Sequence, residues 1–267
     1  MDSDPASRPP RGDDTLKSLV KVVRILDAFS TTDRALSLGE ICRRCGFPKS
    51  TTHRLIASMR AVGLLDQDRE GERYRLGLKL FELGSTVLAN LELHREARPF
   101  VDALTRLSGQ GVHLAVFDGQ RAVVIHRTDP IGEPGGAALI ESAPVHCTSV
   151  GKAILAFQDA AVVDRVIAAG LPRFTEQTIT DPDHLRATLA EIRARGYATD
   201  EAEHQPGLRC VGAPIRDQNG RVFAAISVSA PAWRLATDAM EGLSKIVIHH
   251  AGAISTCLGF REPIGVR

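Results

Sequence analysis

The sequence predicts an α+β chain of two unlike parts: a small helical unit ending in a hairpin, then a larger domain on an antiparallel sheet. Three observations carry this. Helical periodicity with clear start and stop signals dominates residues 1–95. Further on, two pairs of alternating strands flank tight turns, one at Asp118 and Gly119 and the other at Asn219 and Gly220. The helices between these hairpins do not follow the regular βαβ order of a parallel sheet.

Bulk properties set the frame. A length of 267 residues suits two domains of ordinary size, and 43% hydrophobic with 24% charged residues is the balance of a soluble globular chain. No apolar run approaches the roughly 20 residues that span a bilayer, so no membrane partner is expected. The opening "MDSDPASRPPRGDD" is polar and Pro-rich, and residues 1–14 are expected to form a disordered arm rather than a signal peptide. Five cysteines, an odd number scattered along the chain, argue against a disulfide framework and for a reducing, cytoplasmic setting. Net charge is only +1, but between residues 38 and 64 five basic residues face Glu40 alone. A local basic patch in a neutral chain fits a small DNA-contacting surface joined to something else.

The patch lies in a run of helical signals. "LKSLVKVVRILDAFS" places Leu16, Leu19, Val20, Val23, Leu26, Ala28 and Phe29 on one helical stripe. "SLGE" at 37–40 is a capping box, in which Ser37 and Glu40 satisfy each other's backbone amides. The short helix it starts turns Leu38, Ile41 and Cys42 inward and Arg43 and Arg44 outward, and Gly46 stops it as a left-handed cap. Pro48 suits the first position of the next helix, over about 48–62. That helix has two faces. Thr52, Leu55, Ile56, Met59 and Val62 share one; Lys49, Ser50, His53, Arg54 and Ala57 share the other, with Thr51 at its edge. Short donors and cations near a helix N-terminus, with little bulk, are what a helix entering the major groove needs. A further pair of strands over 63–77, about a turn near Glu70 and Gly71, alternates Tyr74 and Leu76 with Arg73 and Arg75. This is the wing of a winged helix-turn-helix, with Arg44 and with Arg69, Arg73 or Arg75 expected at phosphates.

Two rival readings of "CRRCGFPKSTTHRL" weaken in this setting. Zinc needs four ligands, and no second Cys or His pair stands near Cys42 and Cys45. "GFPKST" lacks the first Gly and the Gly-Lys pair of a phosphate loop. Beyond the wing, Gly84 and Pro99 are expected to break a long periodic run into a linker helix (78–93) and the first helix (94–108) of the second domain. Helices are expected at about 150–157, 160–169, 183–195 and 237–258, the third capped by Asp181 and ended by Gly196.

The segments "LSLGEICRRCGFPKSTTHRLIASMRAVGLL", "YRLGLKLFELG", "HCTSVGKAILA" and "RARGYATDEAEHQPGLRCVGAPIRDQNGRVFAAISVSAP" resemble, in order and spacing, IclR-type bacterial transcriptional regulators, from about residue 15 to 260. The winged helix alone is shared by many regulators; its combination with "GLRCVGAP" and "ISVSAP" is specific. The resemblance implies a winged helix-turn-helix domain (15–77), the linker helix and a GAF-like effector domain (94–262). It also implies homodimers or dimers of dimers on pseudo-palindromic double-stranded operator DNA. Positions matching Ser149, Val150, Asp200, Cys210, Ser227 and Ser229 bind effectors in such proteins.

Read as chemistry, Ser149 is a plausible N-cap of the helix it precedes, and the free amides there attract an anion. Ser227 and Ser229, two apart on a strand, share a face. A hydroxyl-lined pocket at a helix N-terminus suits a small organic acid. Ionised Asp200 would repel its carboxylate, so Asp200 is expected to read a hydroxyl or a water. The plainer alternatives are that Ser149 only caps its helix and that Ser227 and Ser229 face solvent. The stretch 135–143, small and apolar but for Glu141, departs from the pattern of related chains and implies a pocket wall of different shape. A Cys/His hydrolase built from His146, Cys147, His204 and Cys210 lacks a paired nucleophile and base. His113, His126 and His204 lack a ligand spacing. No catalytic residue, metal or cofactor is therefore expected. The alternative to a DNA reader is a small-molecule sensor whose winged helix contacts another protein.

Overall fold

The computed structural model describes residues 12–30, 32–68, 72–90, 92–130, 141–236 and 239–261. It divides into two compact units after Asn90.

The N-terminal unit runs α1 (Gly12–Leu26), β1 (Leu36–Ser37), α2 (Leu38–Cys45), α3 (Lys49–Ala61), β2 (Leu65–Gln67), β3 (Arg73–Leu76) and α4 (Leu78–Asn90). The three short strands form an antiparallel sheet in the order β1-β3-β2, with Leu36 and Gln67 both opposite Tyr74. This is a winged helix-turn-helix. Its core gathers Ile25, Phe29, Leu36, Ile41, Ile56, Met59, Leu65 and Tyr74, all buried. At about 1.5–3 kcal/mol for each large apolar side chain removed from water, this cluster is the main force holding the three helices and the wing together.

Local signals set the helix boundaries. The Ser37 hydroxyl accepts the Glu40 N–H at 3.3 Å, and Glu40 Oε2 accepts the Ser37 N–H at 2.8 Å. Gly46 ends α2 at φ +70°, a conformation costly for any residue with a Cβ. Cys45 is buried, its thiol donating to the Arg24 carbonyl at 3.3 Å, while Cys42 is half-buried.

Several expectations need correction here. α1 starts at Gly12, inside the arm expected over 1–14; residues 1–11 lie outside the described residues. Ile25 is its buried residue, with Val22 and Leu26 packed alongside and Ala28 and Phe29 reaching the core just past its end, whereas Leu19, Val20 and Val23 are more than half exposed. From Lys17 onward the apolar arc of α1 is wider than one contact face, and its C-terminal end is the part that meets the core; the Leu16 side chain lies outside the described residues. Pro48 is the N-cap of α3 rather than its first residue, and Val62, past the helix end, is 61% exposed. Of the two residues that alternate with Arg73 and Arg75, Tyr74 is buried and Leu76 is exposed. Neither Gly84 nor Pro99 breaks a helix: α4 runs through Gly84 to Asn90, and α5 (Glu92–Ser108) contains Pro99. Removing one backbone donor at Pro99 is tolerated because Leu93, Ala97, Val101 and Leu104 anchor α5 along one buried stripe.

The C-terminal unit continues with β4 (Gly111–Phe117), β5 (Ala122–Thr128), β6 (Glu141–Ala143), α6 (Ser149–Leu155), α7 (Ala160–Ala168), α8 (Pro182–Arg195), β7 (Ala198–Glu201), β8 (Leu208–Arg216), β9 (Val222–Pro231) and α9 (Ala239–Cys257). Its six strands form one antiparallel sheet in the order β6-β5-β4-β9-β8-β7, giving the α+β fold. α6 covers one face, and its Ala153 and Ile154 share a core with Ala115, Leu185, Ile192 and Ala225. α5 and α9 pack against each other and against the sheet. The short edge strands β6 and β7 had no counterpart in the sequence reading.

Candidate functional site

On α3, Lys49, Ser50, His53 and Arg54 are exposed, with Thr51 half-buried beside them and Thr52, Ile56 and Met59 turned into the core. Among the described residues, no hydrogen bond or ion pair ties down the side chain of Lys49, Ser50, His53 or Arg54. No side chain caps the start of α3 and no acidic residue stands in its first turn, so the opening amides remain donors for an anion. Arg44 and Arg73 are placed differently. The Arg44 guanidinium donates to the Ala28 carbonyl at 2.8 Å and pairs with Asp33 at 3.0 Å, and Arg73 donates to the Ala35 carbonyl at 3.0 Å. Both are engaged within their own unit. Arg69 lies outside the described residues, and Arg75 is exposed.

In the C-terminal unit, sheet register brings the expected effector residues together. Asp200 on β7 stands opposite Cys210 on β8, which stands opposite Ser229 on β9. Two residues along, Gly212 pairs with Ser227, which pairs with His113 on β4. Paired residues and those two apart point to one side of a sheet, so Asp200, Cys210, Ser227, Ser229 and His113 share a face. Ser149 and Val150 at the start of α6 lie over it. A Cβ added to Gly212 would sit 2.9 Å from the Ser149 carbonyl carbon, so glycine permits the helix to approach this closely. Ser149, Asp200, Ser227 and Ser229 are all buried, which answers the solvent-facing alternative for the two β9 serines. One role shifts by a residue. Thr148, not Ser149, is the N-cap, accepting the Gly151 N–H at 3.1 Å and donating to the Pro144 carbonyl at 2.7 Å. Most of the stretch 135–143 lies outside the described residues.

Burial sets the charge state of this face. It raises the Asp200 carboxyl to about 7, although Oδ1 accepts the Glu203 N–H at 2.8 Å. The Cys210 thiol is pushed up to about 12, outweighing its bonds with Ser229 and Ser149, and burial carries Cys147 to about 12 as well. Both are neutral thiols, not nucleophilic thiolates. Burial, with the charge of Arg127 nearby, pushes His113 down to about 4, so a neutral ring meets Ser229 Oγ at 3.0 Å.

Sequence reasoning passed over a buried ion pair beside this face. Lys152 on α6 bonds Glu203 in the loop after β7, both nearly inaccessible to solvent, while Glu203 Oε2 has no hydrogen-bond partner. Its signal was present: a lone lysine inside the otherwise apolar helix "SVGKAIL" requires a buried partner. His113 carried no such signal, because its role depends on a register partner 116 residues away. His113 and His126 face opposite sides of the sheet, His113 opposite Ser227 and His126 across from Leu114. No cluster of three metal-ligating residues occurs among the described residues.

A helix-turn-helix with an exposed polar face on α3, followed by a domain in which buried hydroxyls gather beside the start of α6, is the arrangement of a ligand-binding transcriptional regulator. Comparison with known proteins agrees. Residues 18–69 match the family model "IclR helix-turn-helix domain", and residues 85–256 match "Bacterial transcriptional regulator IclR C-terminal". The chain belongs to the IclR family. It is 33% identical over 251 residues to the HTH-type transcriptional regulator KdgR of Escherichia coli, covering 93% of this chain and 95% of that one. It is 32% identical to the HTH-type transcriptional repressor AllR of Salmonella paratyphi A, covering 97% and 96%. An IclR homolog from Microbacterium hydrocarbonoxydans, solved in complex with 4-hydroxybenzoate, superposes with a TM-score of 0.76 at 30% identity, covering 90% of this chain and 98% of that one.

Proposed function

We propose that this regulator reads pseudo-palindromic operator DNA through Lys49, Ser50, Thr51, His53 and Arg54 of α3. Its affinity is set by a small organic acid held by Ser149, Val150, Asp200, Cys210, Ser227 and Ser229. The observation that carries the reading is the convergence of those six residues from α6, β7, β8 and β9 on one buried sheet face. The pocket offers hydroxyl donors and the first-turn amides of α6. An Asp200 that ionises only near pH 7 reduces the repulsion an ionised carboxylate would exert, and in its neutral form it donates a hydrogen bond to the acid or to a hydroxyl on it. The 4-hydroxybenzoate bound by the Microbacterium relative supports an organic acid as the ligand class.

Arg44 and Arg73 take a supporting part, steadying the turn and wing from within. Apolar side chains exposed on α1 (Leu19, Val20, Val23) and α4 (Leu78, Phe81, Leu83) support assembly as a homodimer or dimer of dimers. A winged helix that docks on a protein instead would present an apolar face; the exposed side of α3 is polar.

The test is a thermal-shift screen of small keto and aromatic acids on the full-length protein. A ligand at about 100 times its Kd adds roughly 2.7 kcal/mol of stability. We expect at least one acid to raise Tm, and Ser227→Ala to abolish that shift. If no acid moves Tm, or if every shift observed survives in Ser227→Ala, the assigned pocket is wrong.

A further inference from the structure

The C-terminal unit holds a cavity that none of the six effector-pocket residues lines. Its volume is about 540 Å³, and it lies among the turn joining β4 to β5, the stretch after β6, the C-terminal end of α7 and the loop leading to α8. Arg121, Arg165, His146 and His204 supply its polar wall, with Val166 and Phe174 on the apolar side. Among the described residues, no Asp or Glu lines it.

The two arginines differ from others on the same unit. Arg186 pairs with Asp164 at 2.6 Å and Arg221 with Asp217 at 3.0 Å. Arg121 and Arg165 are exposed, and neither guanidinium has an ion-pair partner among the described residues. In the last turn of α7 the Arg165 and Ile167 carbonyls accept the Ala169 and Gly170 amides. The rest of the wall is fixed. His146 is buried with Nε2 3.0 Å from the Pro172 carbonyl, and the Phe174 ring stands 6.1 Å from His146 and 5.0 Å, edge-on, from His204.

We propose that this cavity is a second ligand site, separate from the hydroxyl-lined pocket, for an organic carboxylate carried on a flat apolar body. The volume lies within the roughly 300–1,000 Å³ typical of small-molecule sites, and few polar groups on an apolar wall is their usual composition. Guanidinium groups without acid partners recognise a carboxylate through paired hydrogen bonds. Phe174 and Val166 offer the contact an aromatic or branched body needs. The site stands whether or not the hydroxyl-lined pocket binds an acid.

Isothermal titration of the full-length protein with 2-naphthoate tests it, using Arg165→Glu, Val166→Trp and Ser227→Ala as variants. Arg165 is exposed, so inverting its charge leaves the fold intact, and a melting curve of each variant verifies this. We expect the wild type and Ser227→Ala to bind alike, and Arg165→Glu and Val166→Trp to lose at least tenfold in affinity. The proposal is overturned if the wild type does not bind 2-naphthoate, if binding is unchanged in both cavity variants, or if Ser227→Ala is the variant that removes it.

Discussion

At Asp200 a carboxyl is held behind the sheet face, bonded to the Glu203 amide, and ionises only near pH 7. Between the ordinary value of 3.8 and about 7 the folded chain keeps a proton that the unfolded chain has released. This group's contribution to stability therefore falls as pH rises through that window and levels off above it. Asp200→Asn keeps the acceptor for the Glu203 amide and removes the titration. We expect it to melt above the wild type at pH 8 by several degrees, with the difference shrinking as pH falls and gone only below about pH 4. A wild type that melts higher at pH 8 would mean that ionised Asp200 is stabilised by its surroundings. Residues whose role is local were legible in the sequence: Ser37 with Glu40, Gly46, and the cap at Asp181 with Gly196. His113 and Thr148 were not, because one depends on strand register and the other on a one-residue choice between neighbouring hydroxyls.

Among the elements, α6 carries two of the proposed effector residues, Ser149 and Val150, and it is tied down by a buried charge pair between Lys152 and Glu203. Removing a single partner from such a pair leaves an uncompensated charge and typically costs about 3–5 kcal/mol, whereas replacing both is often near neutral. Lys152→Met should therefore destabilise by that amount in a denaturant titration, and adding Glu203→Leu should recover most of it. If the double variant is no more stable than the single one, the pair does more than balance charge. The helices α2, α3 and α8 were legible because their caps and periodicity agree. The face of α1 was misjudged because Leu19, Val20 and Val23 extend its apolar arc beyond what the core covers. Periodicity alone cannot distinguish such exposed apolar side chains from those of a core. The strands β6 and β7, three and four residues long, are too short to show alternation.

For the whole molecule, the two-unit architecture and the antiparallel sheet followed from hairpin turns and helix signals, while the shared buried face of Asp200, Cys210, Ser227, Ser229 and His113 emerged only once register joined β7, β8, β9 and β4. The central claim is that the polar face of α3 reads DNA. Its most direct measurement is the salt dependence of binding to a duplex selected from random sequence, by fluorescence anisotropy, for the wild type, Lys49→Ala and Arg54→Ala. A DNA reader loses affinity as a power of salt concentration, with a slope set by the phosphates it neutralises. We predict a steep slope for the wild type. Lys49→Ala should have a shallower slope, with weakening that is uniform across sequences. Arg54→Ala should lose about 1–3 kcal/mol, concentrated on the selected site. Binding that does not respond to salt, or that is unchanged in both variants, would contradict the account.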